Sequence, residues 1–388
     1  MRATLLTATI VSAQIASPMR QLRLDTLPIT KFYDTSPLLA GRPGELIRSQ
    51  AFDEYELPFS VSAIRILYHS RSAAGEDVAA SGIVLLPADK RPPAGGWPVI
   101  AWAHGAAGVA RACAPSLMRN VGHGPFLAMY VSLGYAVVAP DYSGLGTNYR
   151  NAFLDGRSNA IDVINSIPAA HAALPQLGAR WIVMGEAEGG LTTVAVAEKE
   201  SEIRDPGYLG AVAISDLFSV KEIFEQSSSG ASGSGPSSVM FASLAYGIKT
   251  IYPQFQVSDM LTEKALPLYR QLEGMCSPAR TTLELSPADL ARPGWQRNSF
   301  VRQYLDRNEL GNTRMPRPIL VISGDADRIT AGGITAQAVA RLCKQGDQVL
   351  WKRYSDFDPG SVIGGSVRDQ MTWIEARFAG RPTQTNCP

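Results

Sequence analysis

Short apolar runs alternate with amphipathic segments along most of the chain from residue 61 onward. Nearly uninterrupted runs of Val, Ile and Ala are typical of parallel strands buried on both faces, whereas apolar positions repeating every three or four residues indicate helices. The strands predicted in this way are Val61–His69, Ala80–Leu86, Trp97–Ala103, Tyr135–Pro140, Trp181–Met184, Gly210–Ile214, Pro318–Ser323 and Gln348–Tyr354. The helices predicted between and after them are Pro125–Leu133, Ser158–Ala173, Leu191–Lys199, Ile334–Cys343 and Val362–Phe378. This alternation predicts a doubly wound, mostly parallel α/β sheet.

The alternation stops between residues 216 and 312. A Ser/Gly-rich run at Ser227–Gly235 has the composition of a linker, and helical patterns follow at Ser238–Ile251 and Lys264–Glu273. Because ligands of such sheets bind at the carboxyl ends of the strands, an insertion at this point is expected to form a helical lid over them.

The predicted domain organisation has four parts. Residues 1–31 form a leader, residues 32–215 the first part of the core, residues 216–312 the lid, and residues 313–388 the second part of the core. Within the first part, the Pro-, Gly- and charge-rich segment Phe32–Pro58 is expected to wrap the surface before the sheet begins.

The N-terminus has the features of a weak signal peptide. A single positive charge at Arg2 precedes a short, mildly apolar run, Ala3–Ala16, and small residues follow it. The alternative is a disordered leader or a misplaced start codon. With export, the protein is expected to be secreted or periplasmic.

The composition limits the classes of partner and cofactor that we expect. The formal net charge is +1, which gives no electrostatic attraction to nucleic acid, and after the leader no apolar run approaches the ~20 residues that span a bilayer. The four cysteines show no C-x-x-C spacing and there are only four histidines, so we expect no metal site and no cofactor. Four cysteines beside a signal peptide favour two disulfides, for which three connectivities are possible.

The strongest chemical signal is a strand, then Gly185-Glu186-Ala187-Glu188-Gly189, then a helix. A tight strand-to-helix turn with small residues at both ends is the nucleophile elbow of α/β-hydrolases, which raises one side chain above the sheet. Ala187 occupies the raised position, and a methyl group can neither attack a carbonyl nor carry a proton. The alternative interpretation is a plain βα turn.

A second motif, His104-Gly105-Ala106-Ala107-Gly108, follows the strand Trp97–Ala103 directly. In this fold such a loop supplies one amide of the oxyanion hole, and the residue after the nucleophile supplies the other. Ala106 and Glu188 are therefore the predicted donors. His104 itself is expected to be a structural histidine that hydrogen-bonds the loop.

The remaining triad members are expected late in the chain, acid first and histidine last. Asp327, in Gly324–Ile329 after a predicted strand, fits the acid, although an aspartate that caps a helix looks similar. No histidine follows it. The loop Tyr354–Ser361 has Asp358 and Pro359 near the histidine position.

Taken together, these stretches resemble the secretory lipase family, which includes the yeast lipase A type. Other matching stretches are Phe32-Tyr33, Gly41–Gly44, Gly95–Val99, Gly134–Gly146, Trp373 and the cysteines Cys113 and Cys387. The resemblance implies an α/β-hydrolase core with a helical lid, export, and the disulfides Cys113–Cys276 and Cys343–Cys387. It also implies an ester-cleaving Ser-His-Asp triad, of which only Asp327 carries over. The family's elbow has histidine before the serine and glutamine after it, whereas both neighbours here are glutamates.

Three functional hypotheses follow. The first is a non-hydrolytic homologue that binds a small apolar, acyl or polyketide-like ligand under the lid. The second is acid/base chemistry, a cyclisation, elimination or isomerisation, by carboxylates gathered around Ala187, with pKa values raised by crowding and burial. The carboxylates in question are Glu186, Glu188, Asp327 and either Asp358 or Asp356. The alternative for both glutamates is that they face solvent or pair with arginines. The third is a carboxylic-ester hydrolase or triacylglycerol lipase that takes its nucleophile or base from an unexpected position, such as Ser361 or His123. The oligomeric state is left open.

Overall fold

A nine-stranded sheet is the centre of the computed structural model, which describes residues 26–37, 40–215, 217–227, 237–276, 285–327, 329 and 333–387. The strands are β1 (Leu46–Ala51), β2 (Val61–Arg71), β3 (Asp77–Pro87), β4 (Trp97–Ala103), β5 (Ala136–Pro140), β6 (Leu177–Glu186), β7 (Tyr208–Ile214), β8 (Ile319–Gly324) and β9 (Val349–Tyr354). Their order across the sheet is β1-β2-β3-β5-β4-β6-β7-β8-β9. The pairs from β5 to β9 are parallel, whereas β1, β2 and β3 are antiparallel to their neighbours.

Helices cover both faces of the sheet. The α-helices are α1 (Gly124–Ser132), α2 (Gly156–Ala173), α3 (Glu188–Ile203), α4 (Val220–Ser227), α5 (Ser238–Ile251), α6 (Leu266–Gln271), α7 (Pro287–Leu290), α8 (Ser299–Arg307), α9 (Ile334–Lys344), α10 (Pro359–Gly365) and α11 (Val367–Phe378). Along β4, Val99, Ala101 and Ala103 belong to the core under α2, α3 and α9, whereas Ile100 and Trp102 belong to the core under α1 and α11. The predicted doubly wound, mostly parallel sheet of an α/β-hydrolase is confirmed.

One strand was not expected from the sequence. The segment Phe32–Pro58 was predicted to wrap the surface, but Leu46–Ala51 inside it forms the edge strand β1, antiparallel to β2. Most of its residues are exposed, so it lacks the apolar alternation by which a half-buried strand is recognised. Its pairing depends on the neighbouring strand rather than on its own pattern.

The helical insertion lies between β7 and β8 and contains helices α4 to α8. Both disulfides implied by the family resemblance are present: Cys113–Cys276 joins the core to the insertion, and Cys343–Cys387 joins α9 to the C-terminal segment. The leader up to residue 25 and most of the Ser/Gly-rich run lie outside the described residues. In the part of the chain that is described, no helix is long and apolar enough to cross a bilayer.

Close backbone contact between β4 and the turn after β6 predicts a sharp sensitivity to one methyl group. A Cβ at Gly189 would overlap the carbonyl oxygen of Ala103, and backbone atoms cannot retreat as a flexible side chain can. We expect Gly189→Ala to lower the free energy of unfolding by roughly 3 kcal/mol, measured by urea denaturation. Gly364→Ala is the control, because a Cβ there meets no atom within 4 Å. Equal midpoints for the two variants would contradict this packing.

Candidate active site at the strand-to-helix elbow

The elbow between β6 and α3 has the geometry of a raised nucleophile position. The strand ends at Glu186 and the helix begins at Glu188, with Ala187 alone between them at φ 53° and ψ −113°. A positive φ is rare for a residue with a side chain and costs of order 1–3 kcal/mol. The amide of Ala187 donates to the carbonyl oxygen of Ile214 on β7 at 3.0 Å, which helps to hold this conformation.

Small residues allow the elbow to pack tightly against the loop after β4. A Cβ at Gly185 would overlap the carbonyl oxygen of Gly189, so the two ends of the turn nearly touch. A Cβ at Gly105 would lie 2.6 Å from Oε2 of Glu186. The carboxyl of Glu186 therefore lies directly against the His104-Gly105 loop.

Two backbone amides, one in the loop after β4 and one at the start of α3, are the predicted oxyanion donors. Ala106 follows Gly105 in the loop, and Glu188 is the first residue of α3, where an amide has no partner within the helix. In the described part of the chain, neither amide donates a hydrogen bond. Their joint action on one oxygen stays a prediction.

Glu186 is a carboxyl perturbed by its surroundings. Burial raises its pKa from 4.5 to about 7, and the nearby charge of Asp327 raises the pKa in the same direction. A carboxyl with this pKa is partly protonated at neutral pH, so it can both donate and accept a proton there.

Asp327 follows β8 as predicted. It is buried, its amide donates to the carbonyl oxygen of Gly324 at 3.2 Å, and its Oδ1 accepts from the amide of Ile329 at 2.7 Å. This hydrogen bond lies within the turn and does not cap a helix, because α9 begins only at Ile334, after Gly333. The turn brings the Asp327 charge close enough to act on Glu186.

The side chain of Glu188 points to a different part of the molecule. Its Oε1 accepts from the amide of Leu154 at 2.8 Å and from Nδ2 of Asn159, in α2, at 3.2 Å. Burial raises its pKa to about 7 in spite of these hydrogen bonds. Glu188 is therefore buried rather than exposed or paired with an arginine, but its carboxyl joins α3 to the start of α2.

Asp358 does not belong to a buried carboxylate cluster. It is exposed and is the N-cap of α10, with its Oδ1 accepting from the amide of Ser361 at 2.8 Å. These hydrogen bonds to Ser361 lower its pKa. The predicted grouping of Asp358 with the elbow glutamates is therefore corrected: this carboxylate is exposed and its hydrogen bonds cap the N-terminus of α10. Asp356, the other candidate, is also exposed.

The loop that was expected to carry a histidine packs on the turn that carries the acid. Pro359 is the first residue of α10, and the carbonyl oxygen of Phe357 accepts from the amide of Ala326 at 3.1 Å. Gly324 is needed for this contact, since a Cβ there would overlap the Phe357 carbonyl.

The histidines have other contacts. His69 lies 2.9 Å from Asp77, and His123 packs edge-on against Trp102 with ring centroids 5.5 Å apart. His104 stacks on Tyr142 at 4.0 Å between centroids, and its Nδ1 lies 2.7 Å from the carbonyl oxygen of Gly105. Burial lowers the pKa of His104 to about 4, so the ring is neutral and structural, as the sequence suggested.

Tyr142 is a site component that sequence reasoning missed. Besides stacking on His104, its hydroxyl donates to the His104 carbonyl oxygen at 2.9 Å, which fixes the start of the loop that carries Gly105 and Ala106. Tyr142 lies within the stretch Gly134–Gly146, which resembles the family. This resemblance was the one signal in the sequence that could have pointed to Tyr142.

Ser361 and His123, the candidates for replacing the triad, have structural roles of their own. The Ser361 hydroxyl donates to Oδ1 of Asp358 at 2.7 Å inside an exposed capping box. His123 precedes α1, and burial lowers its pKa. Among the described residues, no group of three or more His, Cys, Asp or Glu side chains is arranged to hold a metal ion.

Comparison with known proteins identifies the family. A model of the secretory lipase family matches residues 125–386, which include the elbow, the insertion and the Asp327 turn. The chain belongs to the secretory lipase family. A search of curated proteins finds no match.

Solved structures of lipases and esterases share the fold of this secretory lipase family member. The rice cell wall degrading esterase LipA from Xanthomonas oryzae aligns with a TM-score of 0.72 at 20% identity, over 87% of this chain and 98% of that chain. Candida antarctica lipase A aligns with a TM-score of 0.76 at 17% identity, over 93% and 89%. A putative hydrolase from Legionella pneumophila aligns with a TM-score of 0.72 at 19% identity, over 88% and 100%. At such low identity the likeness concerns the fold alone.

The raised pKa of Glu186 makes stability depend on pH. The unfolded chain releases this proton near pH 4.5 and the folded chain near pH 7, so the folded state binds more protons between these values. The stabilisation is complete below pH 4.5 and is lost as the pH rises through 7. Relative to Glu186→Gln, which does not titrate, the wild type should lose about 3 kcal/mol of unfolding free energy between pH 4.5 and pH 8.

The measurement is urea denaturation of both proteins across this pH range. Glu202→Gln is the matched control, because Glu202 is exposed and pairs with Lys199 at the surface. Parallel pH profiles of wild type and Glu186→Gln would show that Glu186 has an ordinary pKa and would contradict the prediction.

Proposed function

We propose that this secretory lipase family member is non-hydrolytic and transfers protons to and from a small apolar carbonyl compound. The observation that carries the proposal is the Glu186 carboxyl, which lies against Gly105, the residue before the predicted donor Ala106, and whose pKa is raised to about 7. In this proposal the helical insertion acts as a lid over the ligand. The reaction class is isomerisation, elimination or cyclisation.

Ala187 supports the non-hydrolytic part of the proposal. A methyl group at the raised position cannot form an acyl-enzyme, and the N-terminus of α10 has Asp358 and Pro359 where the family histidine is expected. Loss of the serine or histidine of such a triad costs about 10⁶ in turnover, so the remaining oxyanion hole would leave only about 10³–10⁴ over water.

Enolisation is the step that these groups suit. Ionised Glu186 accepts a proton from the carbon next to the carbonyl, and the C–H electron pair becomes the new carbon–carbon double bond. The carbonyl electrons move onto oxygen, where the amides of Ala106 and Glu188 stabilise the negative charge. Protonated Glu186 then returns the proton to the same carbon or to a conjugated one. Atoms and electrons balance without a cofactor.

Asp327 has a supporting role in this scheme. Its negative charge disfavours ionisation of Glu186, and together with burial this keeps the Glu186 pKa close to neutral. A carboxyl titrating near the working pH spends comparable time as acid and as base, as a reversible proton transfer needs.

Export is part of the proposal. Two disulfides and membership of the secretory lipase family support an oxidising, extracytoplasmic location.

Hydrogen–deuterium exchange of a ketone tests the proposed chemistry. We expect the wild type to accelerate exchange of the α-protons of 2-decanone in D₂O, and Glu186→Gln to reduce the enzyme-dependent rate at least roughly a hundredfold, because an amide cannot accept the proton. The rate should rise with pH and level off above about 7, where Glu186 is ionised. One-dimensional proton NMR follows the loss of the α-proton signal.

Glu188→Gln is the matched control for this experiment. Glutamine keeps the backbone amide and can still accept from Leu154, so exchange should stay within about threefold of the wild type. No exchange above background, or equal loss in both variants, would refute the assignment of Glu186 as the proton carrier.

Restoring the nucleophile alone tests the loss of ester hydrolysis. We expect Ala187→Ser to hydrolyse p-nitrophenyl butyrate less than roughly tenfold faster than the wild type, because a hydroxyl without a histidine is not activated. Hydrolysis by the wild type that a serine-reactive phosphonate blocks would instead favour the alternative, a carboxylic-ester hydrolase or lipase with a non-standard nucleophile.

A further inference from the structure

An arginine-lined cavity of about 350 Å³ lies at the opposite edge of the sheet from the elbow. Its lining includes Ser201 and Arg204 at the C-terminal end of α3, Arg314 and Arg317 in the segment that enters β8, and Gln348 just before β9. Because β8 and β9 are parallel neighbours, these three segments meet at the amino ends of the strands.

The three arginines are not neutralised by neighbours in the lining, which contains no acidic side chain. Nε of Arg204 donates to the Ser201 carbonyl oxygen at 3.3 Å, a contact within its own helix end. Among the described residues, Arg314 and Arg317 make neither a hydrogen bond nor an ion pair within 4.0 Å. The guanidinium groups therefore keep most of their donors available.

Two buried carboxyls lie next to the lining in the sequence, and each is held by a backbone amide. Asp347 accepts from the amide of Met315 at 2.9 Å, and Glu200 accepts from the amide of Asp205 at 3.0 Å. Asp347 also interacts with the charge of Arg314, and Asp205, which follows Arg204 in the chain, has its carboxyl held by the amide of Gly207 and by Nε1 of Trp181.

We propose that this cavity binds a tetrahedral oxyanion, phosphate or sulfate, either free or as an ester of a small molecule. The planar guanidinium fork matches two oxygens of such a group, and several arginines around one site are the usual protein solution for it. The volume of the cavity is about 350 Å³. This leaves room for the oxyanion together with a small attached group.

Calorimetric titration of the full-length wild-type protein tests the site with inorganic phosphate, glycerol 3-phosphate, and sodium chloride at matched ionic strength. We expect saturable one-to-one binding of at least one phosphate compound and none of chloride. Arg317→Gln and Arg314→Gln should each weaken binding roughly tenfold, since each removes a charged hydrogen-bond donor. Tighter binding of inorganic phosphate identifies the free anion as the ligand, and tighter binding of glycerol 3-phosphate identifies an ester.

Arg42→Gln is the matched control, because Arg42 is an exposed arginine in another part of the protein, paired with Glu45. Its affinity for phosphate should equal that of the wild type. Equal heats from phosphate and chloride, or equal weakening by Arg42→Gln, would show non-specific screening and overturn the proposal. If one of the cavity variants does not fold, the wild-type comparison of phosphate with chloride and the other cavity variant still decide.

Discussion

Contact between backbone and backbone at the end of β6 is the constraint on which the candidate site depends. Gly189 packs against the carbonyl oxygen of Ala103 and Gly185 against that of Gly189, so strand β4, strand β6 and helix α3 meet without intervening side chains. This closeness forces the single residue between strand and helix into a positive φ and raises it above the sheet. It also places the two neighbouring glutamates on different sides of the turn. The positions of Glu186, Ala187 and the Glu188 amide all follow from it.

The two glutamates show how one turn gives identical side chains different roles. Burial raises the pKa of both to about 7, yet their partners differ. Glu188 accepts hydrogen bonds from Leu154 and Asn159 and therefore joins two helices. Glu186 lies against Gly105 with the charge of Asp327 nearby. The proposed chemistry rests on Glu186, because the carboxyl of Glu188 is already held by hydrogen bonds from Leu154 and Asn159.

Much of the fold could be predicted from the sequence because buried parallel strands have a strong apolar signal. The elbow, both disulfides and the Asp327 turn were also predictable, since glycine spacing and family resemblance point to them directly. Strand β1 could not be predicted, because its exposed position at the edge of the sheet leaves no alternation of apolar and polar residues in Leu46–Ala51. The different positions and hydrogen-bond partners of Glu186, Glu188 and Asp358 could not be predicted either. Which way Glu188 turns depends on donors more than 25 residues away in the chain, and the capping role of Asp358 depends on α10 starting at Pro359.

The pKa of Glu186 is the quantity that most directly tests the proposed role of this carboxyl. Carbon-13 NMR of labelled glutamate carboxyls measures this pKa, and the Glu186 signal is assigned by its loss in Glu186→Gln. We predict a midpoint of about 7 in the wild type. In Asp327→Asn the midpoint should fall, because one of the two causes is removed, but it should stay above 4.5, because burial is the larger cause. A wild-type midpoint near 4.5 would contradict the account, since Glu186 would then be an ordinary carboxylate with no proton to exchange at neutral pH.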